Sequence, residues 1–191
     1  INPQTTLVVR PMRNVIIRNE TESDFDAIRT LNSQAFGQDG EGRLVDALRS
    51  GGYAELSLVA MDTTASDRGS VVGHILFSRI HIDCGDREVA ALSLAPMAVL
   101  PSRQRQGIGG ALIREGLQRC SLSAKNAGPG IVIVLGHADY YPQFGFCASL
   151  AEPLTAPFDV PPESWMALEL LPGALENVAG EVVYPPPFRD V

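Results

Sequence analysis

Hydrophobic and polar residues are arranged along this chain in two ways, as short apolar runs and as stretches with one apolar face at helical spacing. Residues 25–35 and 44–48 follow the second arrangement and predict two helices, and Gly51 and Gly52 end the second of them. The apolar runs are rich in Val, Ile and Leu and predict seven strands. These strands cover residues 15–17, 56–60, 71–82, 89–99, 131–135, 165–171 and 181–184.

A third predicted helix lies between the fourth and fifth strands. It begins at a glycine-rich turn around Gly107 and continues to about Cys120, with apolar residues at helical spacing. The fifth strand is apolar at every position, which is typical of a strand buried on both faces. Strand, helix and strand in this order predict a βαβ unit, so the fourth and fifth strands should be parallel with a right-handed crossover.

The remaining connections are shorter. Residues 84–87 are turn-forming, so the third and fourth strands should be an antiparallel hairpin. Residues 136–144 leave room for a brief helix with Asp139 as its cap and Pro142 in its first turn. Residues 152–162 are proline-rich and predict irregular structure, and we expect the last two strands to pair with each other. The predicted fold is α/β, with a mixed central sheet of about seven strands and about four flanking helices.

Pro96 lies within the fourth strand and is the most informative single residue of the predicted sheet. Proline has no N–H to give to a sheet ladder, so a central strand that carries one is locally unpaired or bulged. If the fourth strand is central, Pro96 implies that it splays apart from the parallel fifth strand. The resulting wedge would expose free backbone groups at the carboxyl ends, where α/β sheets bind ligands. An edge strand with a proline is the alternative.

The turn that follows this strand has the features of an anion site. Glycine lets backbone amides approach a ligand, and a helix N-terminus adds partial positive charge and unpaired N–H donors. The chain as a whole is acidic, with a net charge of −7 and a pI of about 4.9, which disfavours nucleic acid and anionic membranes as partners. Positive side chains are nevertheless concentrated at this turn. They are Arg103, Arg105, Arg114 and Arg119, and Glu115 is the one acid among residues 103–119.

Length and composition fit one globular domain. Of the 191 residues, 45% are hydrophobic and 19% are charged, which argues against long disorder. We assign residues 14–191 to this domain and set residues 1–13 aside as an N-terminal extension, native or vector-derived. No apolar run approaches the roughly 20 residues that span a bilayer, and no secretory signal is recognisable. Cys84, Cys120 and Cys147 lack metal-ligand spacing, so we expect reduced thiols, no metal and a cytoplasmic location.

Three motifs are similar to those of a known enzyme family. The sequence QRQGIG at residues 104–109 matches the Gln/Arg-x-x-Gly-x-Gly/Ala signature of the GCN5-related N-acetyltransferases. The sequence YPQFGF at residues 141–146 resembles the family's Tyr-x-x-x-Gly-Phe. Residues 166–175 and 180–184 resemble the C-terminal strands of the bacterial YhbS-like branch. The resemblance extends over residues 15–188 and implies the family's fold, with a splayed parallel pair of central strands.

The resemblance implies acetyl-coenzyme A as the co-substrate and a primary amine as the acceptor. Backbone groups of the fourth strand would hold the pantetheine arm, and the glycine turn would hold the diphosphate. The implied cofactor-binding residues are Met97, Ala98, Val99, Arg103, Gln104, Arg105, Gln106, Gly107, Ile108, Gly109 and Gly110.

In this family the amine attacks the thioester directly, and the departing thiolate needs a proton. Tyr141 lies four residues before Gly145, in the register of the family's tyrosine, and is the implied general acid, with Tyr140 as the competitor. No motif identifies a general base. Candidates by residue type alone are Glu22, Glu55, His74, Asp83 and His137.

A second interpretation is a catalytically silent acyl-CoA-binding or regulatory module, which keeps the cofactor-binding site but has no site where an acceptor amine can react. A nucleotide-phosphate site is disfavoured, because neither Gly-x-x-x-x-Gly-Lys-Ser/Thr nor an early Gly-x-Gly-x-x-Gly occurs in the chain. The identity of the acceptor does not follow from the sequence. Residues 38–42 and 63–69 are candidate acceptor loops by analogy with the family, and we expect a monomer or a homodimer.

Overall fold

The computed structural model describes residues 14–64 and 69–190, and the N-terminal extension assigned to residues 1–13 lies outside that part. The strands are β1 (Val15–Asn19), β2 (Ala54–Asp62), β3 (Ser70–Asp83), β4 (Glu88–Val99), β5 (Ile131–Leu135), β6 (Leu154–Thr155), β7 (Trp165–Glu169) and β8 (Gly180–Val183). The α-helices are α1 (Phe25–Phe36), α2 (Gly40–Ser50), α3 (Ile108–Ala124) and α4 (Ala148–Ala151).

All eight strands belong to one mixed sheet. Its main order is β1-β2-β3-β4-β5-β7, while β8 pairs with both β3 and β6. Strands β1 to β4 are antiparallel neighbours, β4 and β5 are parallel, and β5 and β7 are antiparallel. The predicted mixed sheet, the antiparallel hairpin and the parallel fourth and fifth strands are therefore confirmed. The additional strand is the two-residue β6, which lies within the proline-rich segment expected to be irregular.

The predicted pairing of the last two strands with each other is wrong. Strand β7 pairs with β5, and β8 pairs with residues 81–83 of β3 and with β6. The reason is that both edges of β5 carry backbone groups that need partners inside the protein. In addition, β3 extends five residues beyond Ser78, the last of its residues that pairs with β2, so the end of β3 offers a free edge to β8.

The brief helix predicted after β5 is a 3-10 turn, Tyr141–Phe144, with Pro142 in its first positions as expected. Its N-cap residue is Tyr140, so the prediction that Asp139 caps it is wrong. The Tyr140 side chain makes no capping hydrogen bond to this turn.

The sheet has a helical layer on each face. Helix α3 packs on one face, where Ile108, Leu112 and Ile113 join a core with Phe77 and Val134. The opposite face is covered by α1 and α2. There the apolar core consists of Ile28, Leu44, Val45, Leu48, Val59, Met61 and Leu76.

A buried polar network connects the end of β1 to α2, β2 and β3. The Glu20 carboxylate accepts hydrogen bonds from Arg49 Nε at 2.8 Å and from the Ser57 hydroxyl at 2.6 Å. Ser57 Oγ lies 2.9 Å from Nε2 of the fully buried His74. Because the single Ser57 proton goes to the carboxylate, His74 Nε2 must donate to Ser57, which leaves its Nδ1 as the unprotonated nitrogen. Burial lowers the pKa of His74, so this imidazole is neutral at neutral pH.

We expect this network and the neighbouring Arg18–Asp24 pair to make the fold acid-labile. Burial opposes the charged form of Glu20, but the nearby His74 and the hydrogen bonds from Arg49 and Ser57 outweigh burial and lower the pKa of Glu20 to about 2. Hydrogen bonds from Arg18 lower the pKa of Asp24 to about 2 as well. Glu20, Asp24 and His74 each bind a proton more readily in the unfolded chain than in the folded protein. The free energy of unfolding should therefore fall as the pH decreases from about 6.5 to about 2.

Denaturant unfolding at a series of pH values measures this slope. Asp24→Asn should flatten it below about pH 4. The matched control is Asp26→Asn on the same turn, since the Asp26 side chain is 97% exposed and should leave the slope unchanged. A wild-type stability that does not change across this range would contradict the prediction.

Candidate active site

Strands β4 and β5 separate after a short parallel contact. Their pairing is limited to Leu92 with Val132 and Ser93 with Ile133. Beyond that point the register of β4 with β3 changes, because Phe77 pairs with Leu94 while Ile75 pairs with Met97. Two residues of β4, Ala95 and Pro96, therefore oppose the single residue Leu76, as in a β-bulge. The separation of the two strands that Pro96 implied is confirmed.

The free backbone groups of β4 in this cleft follow from its ladder with β3. Leu100 N–H donates to Val72 O at 3.0 Å, and hydrogen-bonded pairs alternate with non-bonded pairs in an antiparallel ladder. The N–H and C=O groups of Ala98 are therefore used by His74, its partner on β3. Those of Met97 and Val99 point away from β3 and into the cleft. The Val99 carbonyl oxygen accepts from Gln104 Nε2 at 3.2 Å. Of the three residues predicted to bind the pantetheine arm, Met97 therefore offers both main-chain groups there, Val99 offers its N–H, and Ala98 offers neither.

The opposite wall contributes a residue that the sequence did not single out. Gly136 N–H donates to Ser164 O at 2.9 Å, so the same alternation leaves the main-chain groups of Leu135 free of β7 and directed toward β4. Leu135 is also 46% exposed, although it ends an otherwise buried strand. An apolar residue that is exposed at the carboxyl end of a central strand is a signal for this role, but it requires the pairing to be known.

The glycine turn forms the entrance to the cleft. A 3-10 turn, Pro101–Arg103, follows β4, and α3 begins at Ile108. Arg105 and Gly107 have positive φ angles of 58° and 87°, and a left-handed residue followed by a helical one turns successive N–H groups toward one side. Gly107 has open space where a Cβ would lie, so its φ angle is what favours glycine there.

Arg103, a predicted phosphate ligand, is held within the protein. Its guanidinium forms an ion pair with Asp62 at the end of β2 and donates to Gln106 Oε1 at 3.2 Å. Hydrogen bonds from Thr64, and then from Arg103, lower the pKa of Asp62 to about 2. This pair ties the turn to the sheet, whereas the side chains of Arg105 and Gln104 are exposed to solvent.

The tyrosine pair lies on the far side of the cleft, directly after β5. Tyr141 is buried, and its ring makes edge contacts with Tyr140 at 5.4 Å and with Phe146 at 5.6 Å between ring centroids. The ring also covers Gly136, where a Cβ would lie 2.1 Å from Tyr141 Cε2. Burial raises the pKa of Tyr141 to about 12, so its hydroxyl is protonated at neutral pH. That hydroxyl has no hydrogen-bond partner among the described residues.

Tyr140 is placed differently. Its Oη lies 3.0 Å from the position that a Cβ at Gly109 would occupy, and Met97 Cε lies 3.6 Å from the same point. Tyr140 therefore contacts the first turn of α3. Burial raises its pKa as well, while the positive charge of Arg114 acts in the opposite direction.

The structure separates the base candidates. Asp83 ends β3 and Glu55 pairs with Arg79, both far along the sheet from the cleft. Glu22 is exposed beside α1, and His74 is enclosed beneath α1 and α2. His137 is exposed in the turn whose carbonyl oxygen accepts from the N–H groups of both tyrosines. It is the one candidate of the five that shares a segment with Tyr141.

A groove of about 620 Å³ lies on the face of the sheet opposite α3. It runs between α1 and the ends of β2 and β3, and it reaches Leu100, the residue after Val99. Its lining combines apolar side chains such as Leu31 and Met61 with the Arg18–Asp24 ion pair. Gly69, at one end of a predicted acceptor loop, also borders this groove. Residues 65–68 of that loop lie outside the described residues.

Known proteins are similar to this chain in sequence and architecture. The sequence model of the Acetyltransferase (GNAT) domain matches residues 16–148. The Escherichia coli K12 proteins YjhQ and YhbS, both described as uncharacterized N-acetyltransferases, are similar. YjhQ is 38% identical over 155 residues, 78% of this chain and 81% of that protein. YhbS is 31% identical over 170 residues, 89% of this chain and 96% of that protein.

Two solved structures extend this similarity to three dimensions. E. coli YhbS in complex with CoA superposes with a TM-score of 0.82 at 29% identity, covering 94% of both chains. A GNAT family acetyltransferase from Brucella melitensis in complex with acetyl-CoA gives 0.71 at 35% identity, covering 91% of this chain and 97% of that one. Among the helices described in this chain, none is long and apolar enough to cross a membrane. The described ranges hold no cluster of three or more His, Cys, Asp or Glu side chains suited to a metal ion.

Proposed function

The chain belongs to the GCN5-related N-acetyltransferase (GNAT) family, near the bacterial YhbS proteins, and on this basis we propose that it transfers an acetyl group from acetyl-CoA to a primary amine. The observation that carries the proposal is the cleft between β4 and β5. Its two walls present main-chain groups of Met97 and Leu135 and the N–H of Val99 that the sheet does not use, and a protonated tyrosine lies beside it.

These groups fit the cofactor. The pantetheine arm carries amide groups, which match the N–H and C=O groups of Met97 and the N–H of Val99 as a strand partner would. The turn from Gln104 to Gly107 and the first residues of α3, Ile108 to Gly110, would hold the diphosphate through their N–H groups. When bound, acetyl-CoA supplies the acetyl group as a thioester. The N–H of Met97 is then available to its carbonyl oxygen as charge develops there.

Tyr141 is the proposed general acid. Its hydroxyl keeps its proton at neutral pH and is not engaged by another described residue, so it can donate that proton from Oη to the departing sulphur. The rigid packing of its ring against Tyr140 and Phe146 supports a fixed position for the hydroxyl. Tyr140 contacts the same ring edge-on, and its proposed role is to hold the Tyr141 ring in position.

We propose that the acceptor amine approaches from the α1 face. The cofactor groups lie on the α3 side of the cleft, which leaves the groove beside Leu100 for the acceptor. The net charge of −7 suits a cationic acceptor. We further propose that residues 14–191 act as one domain, as a monomer or homodimer in the bacterial cytoplasm. The bacterial relatives support this location, and so do the three free cysteines, which a reducing compartment would preserve.

Acetylation of a panel of primary amines, followed by release of free CoA thiol, tests this function. We expect amine-dependent thiol release together with calorimetric binding of acetyl-CoA. Binding without turnover on any amine would favour the silent acyl-CoA-binding module. If acetyl-CoA does not bind at millimolar concentration, both the acetyltransferase function and the silent acyl-CoA-binding module are excluded.

A further inference from the structure

Leu135 ends β5 with its side chain on the face of the sheet opposite α3. Successive side chains of a strand alternate between the two faces, and Ile131 and Ile133, which share the face of Leu135, are buried in an apolar core with Trp165. Leu135 pairs with Trp165 of β7 but is 46% exposed. Since the main-chain groups of Leu135 face the cleft, its exposed side chain borders the cleft on the side away from α3.

Trp165 connects Leu135 to a second exposed apolar side chain. The Phe158 ring makes an edge contact with the Trp165 ring at 6.3 Å and lies 5.8 Å from the Tyr184 ring, both measured between ring centroids. Phe158 is nevertheless 44% exposed. The Trp165 indole N–H donates to Leu154 O at 3.1 Å, so the indole adds no free polar group here. We call Leu135, Phe158 and Trp165 the apolar wall.

The apolar wall differs from the other exposed apolar positions of the chain. Single exposed apolar residues are ordinary on protein surfaces, and Ile16 on the edge strand β1 and Leu122 near the end of α3 are of that kind. In the wall, two exposed side chains adjoin one buried ring, and one of the two belongs to a strand that forms the cleft. Apolar surface that is continuous with a cleft is typical of a ligand contact.

The charged side chains around the apolar wall have one sign. Residues 126–188 contain no lysine or arginine. Asp139, Asp159 and Glu163 lie close to the wall in sequence, are exposed, and form no ion pair with another described residue. A cation is therefore attracted to this side of the cleft, whereas a carboxylate would find no positive partner within this segment.

We propose that the acceptor is a primary amine on an apolar body that carries no carboxylate, and that this body packs on the apolar wall. The wall lies across the cleft from the groove beside Leu100, on the same face of the sheet. The body is held there while the amine faces the thioester. This inference rests on the proposed function and adds to it the class of acceptor.

Steady-state acetylation of four related compounds tests the proposal. Phenethylamine has the apolar body, ethylamine lacks it, and phenylalanine adds a carboxylate to it. Putrescine carries two positive charges and no aromatic body. We expect kcat/KM to be at least about 10-fold higher for phenethylamine than for each of the other three, because apolar burial and charge together favour it alone.

Variants of the wall show whether it causes this preference. Phe158→Gln should lower kcat/KM for phenethylamine about 5- to 20-fold, mainly through KM, and should lower that for ethylamine less. Phe158→Leu should keep most of the preference, because it retains apolar surface. The matched control is Leu122→Gln, which removes an exposed apolar side chain of α3 and should leave the preference unchanged. Thermal unfolding of each variant checks the fold, and Leu135→Gln tests the same wall if Phe158→Gln is unstable.

Equal kcat/KM values for phenethylamine and ethylamine, or a preference for phenylalanine or putrescine, overturn this inference and leave the proposed function standing. A preference for phenethylamine that survives both Phe158→Gln and Leu135→Gln also overturns it. If none of the four compounds is acetylated but another amine is, the proposed acceptor class is wrong. If no amine at all is acetylated, the proposed function fails, and this inference with it.

Discussion

Tyr141→Phe is expected to lower kcat by about 100-fold or more, because it removes the hydroxyl that protonates the departing thiolate. The ring contacts with Phe146, Tyr140 and Gly136 do not involve the hydroxyl, so the fold and the affinity for acetyl-CoA should be unchanged. Steady-state kinetics with an active amine, together with calorimetric titration of acetyl-CoA, measure the two quantities separately.

The matched control is Tyr140→Phe, which removes the neighbouring hydroxyl. We expect a much smaller loss of kcat from it than from Tyr141→Phe. If Tyr140→Phe causes the larger loss, Tyr140 is the acid, and its Oη beside Gly109 and Met97 would be the reactive group. The pKa of about 12 for Tyr141 adds a second check, since deprotonation of this acid should not reduce the wild-type rate up to about pH 10.

Gly136→Ala is expected to destabilise the protein by about 1–3 kcal/mol and to lower kcat at the same time. The new methyl group would lie 2.1 Å from Tyr141 Cε2, and the ring has little freedom because Phe146 and Tyr140 pack against it. The ring must therefore move, and its hydroxyl with it. Chemical denaturation and steady-state kinetics of the same preparation measure both effects.

A double-mutant cycle separates this clash from a general effect of alanine at position 136. In the background of Tyr141→Ala there is no ring to displace, so Gly136→Ala should cost less stability there than in the wild type. The expected coupling is about 0.5–3 kcal/mol, as for residues in direct contact. Additive changes in the free energy of unfolding would contradict the assignment of the clash to Tyr141.

The features that local chemistry determines could be predicted from the sequence. Pro96 cannot pair, so its effect on β4 follows from its own covalent structure. Gly107 has a left-handed backbone conformation directly before α3, and glycine is the residue that adopts this conformation most readily, so its place in the turn also follows from local chemistry. The apolar run of β5 and the helix before it determine the parallel crossover by a general rule of handedness.

The features that depend on distant partners could not be predicted. Arg103 is paired with Asp62, 41 residues earlier in the chain, and nothing in the pattern of either segment indicates this contact. Strands β7 and β8 look alike as short apolar runs, but they pair with different strands because two separate edges of the sheet were available. Which main-chain groups of β4 and β5 are free depends on the register of the neighbouring ladders, so Leu135 and the difference between Met97 and Ala98 emerged only from the structure.

The alternation along β4 has a consequence for how this enzyme can be altered. Met97 and Val99 present their main-chain groups to the cleft and their side chains to the α3 face, whereas the side chain of Ala98 points to the α1 face. Recognition through the main chain does not depend on the identity of the side chain. Directed evolution at Ala98 and along the α1 groove can therefore explore new acceptors while the donor-binding groups stay in place, so donor and acceptor preferences are separable by design.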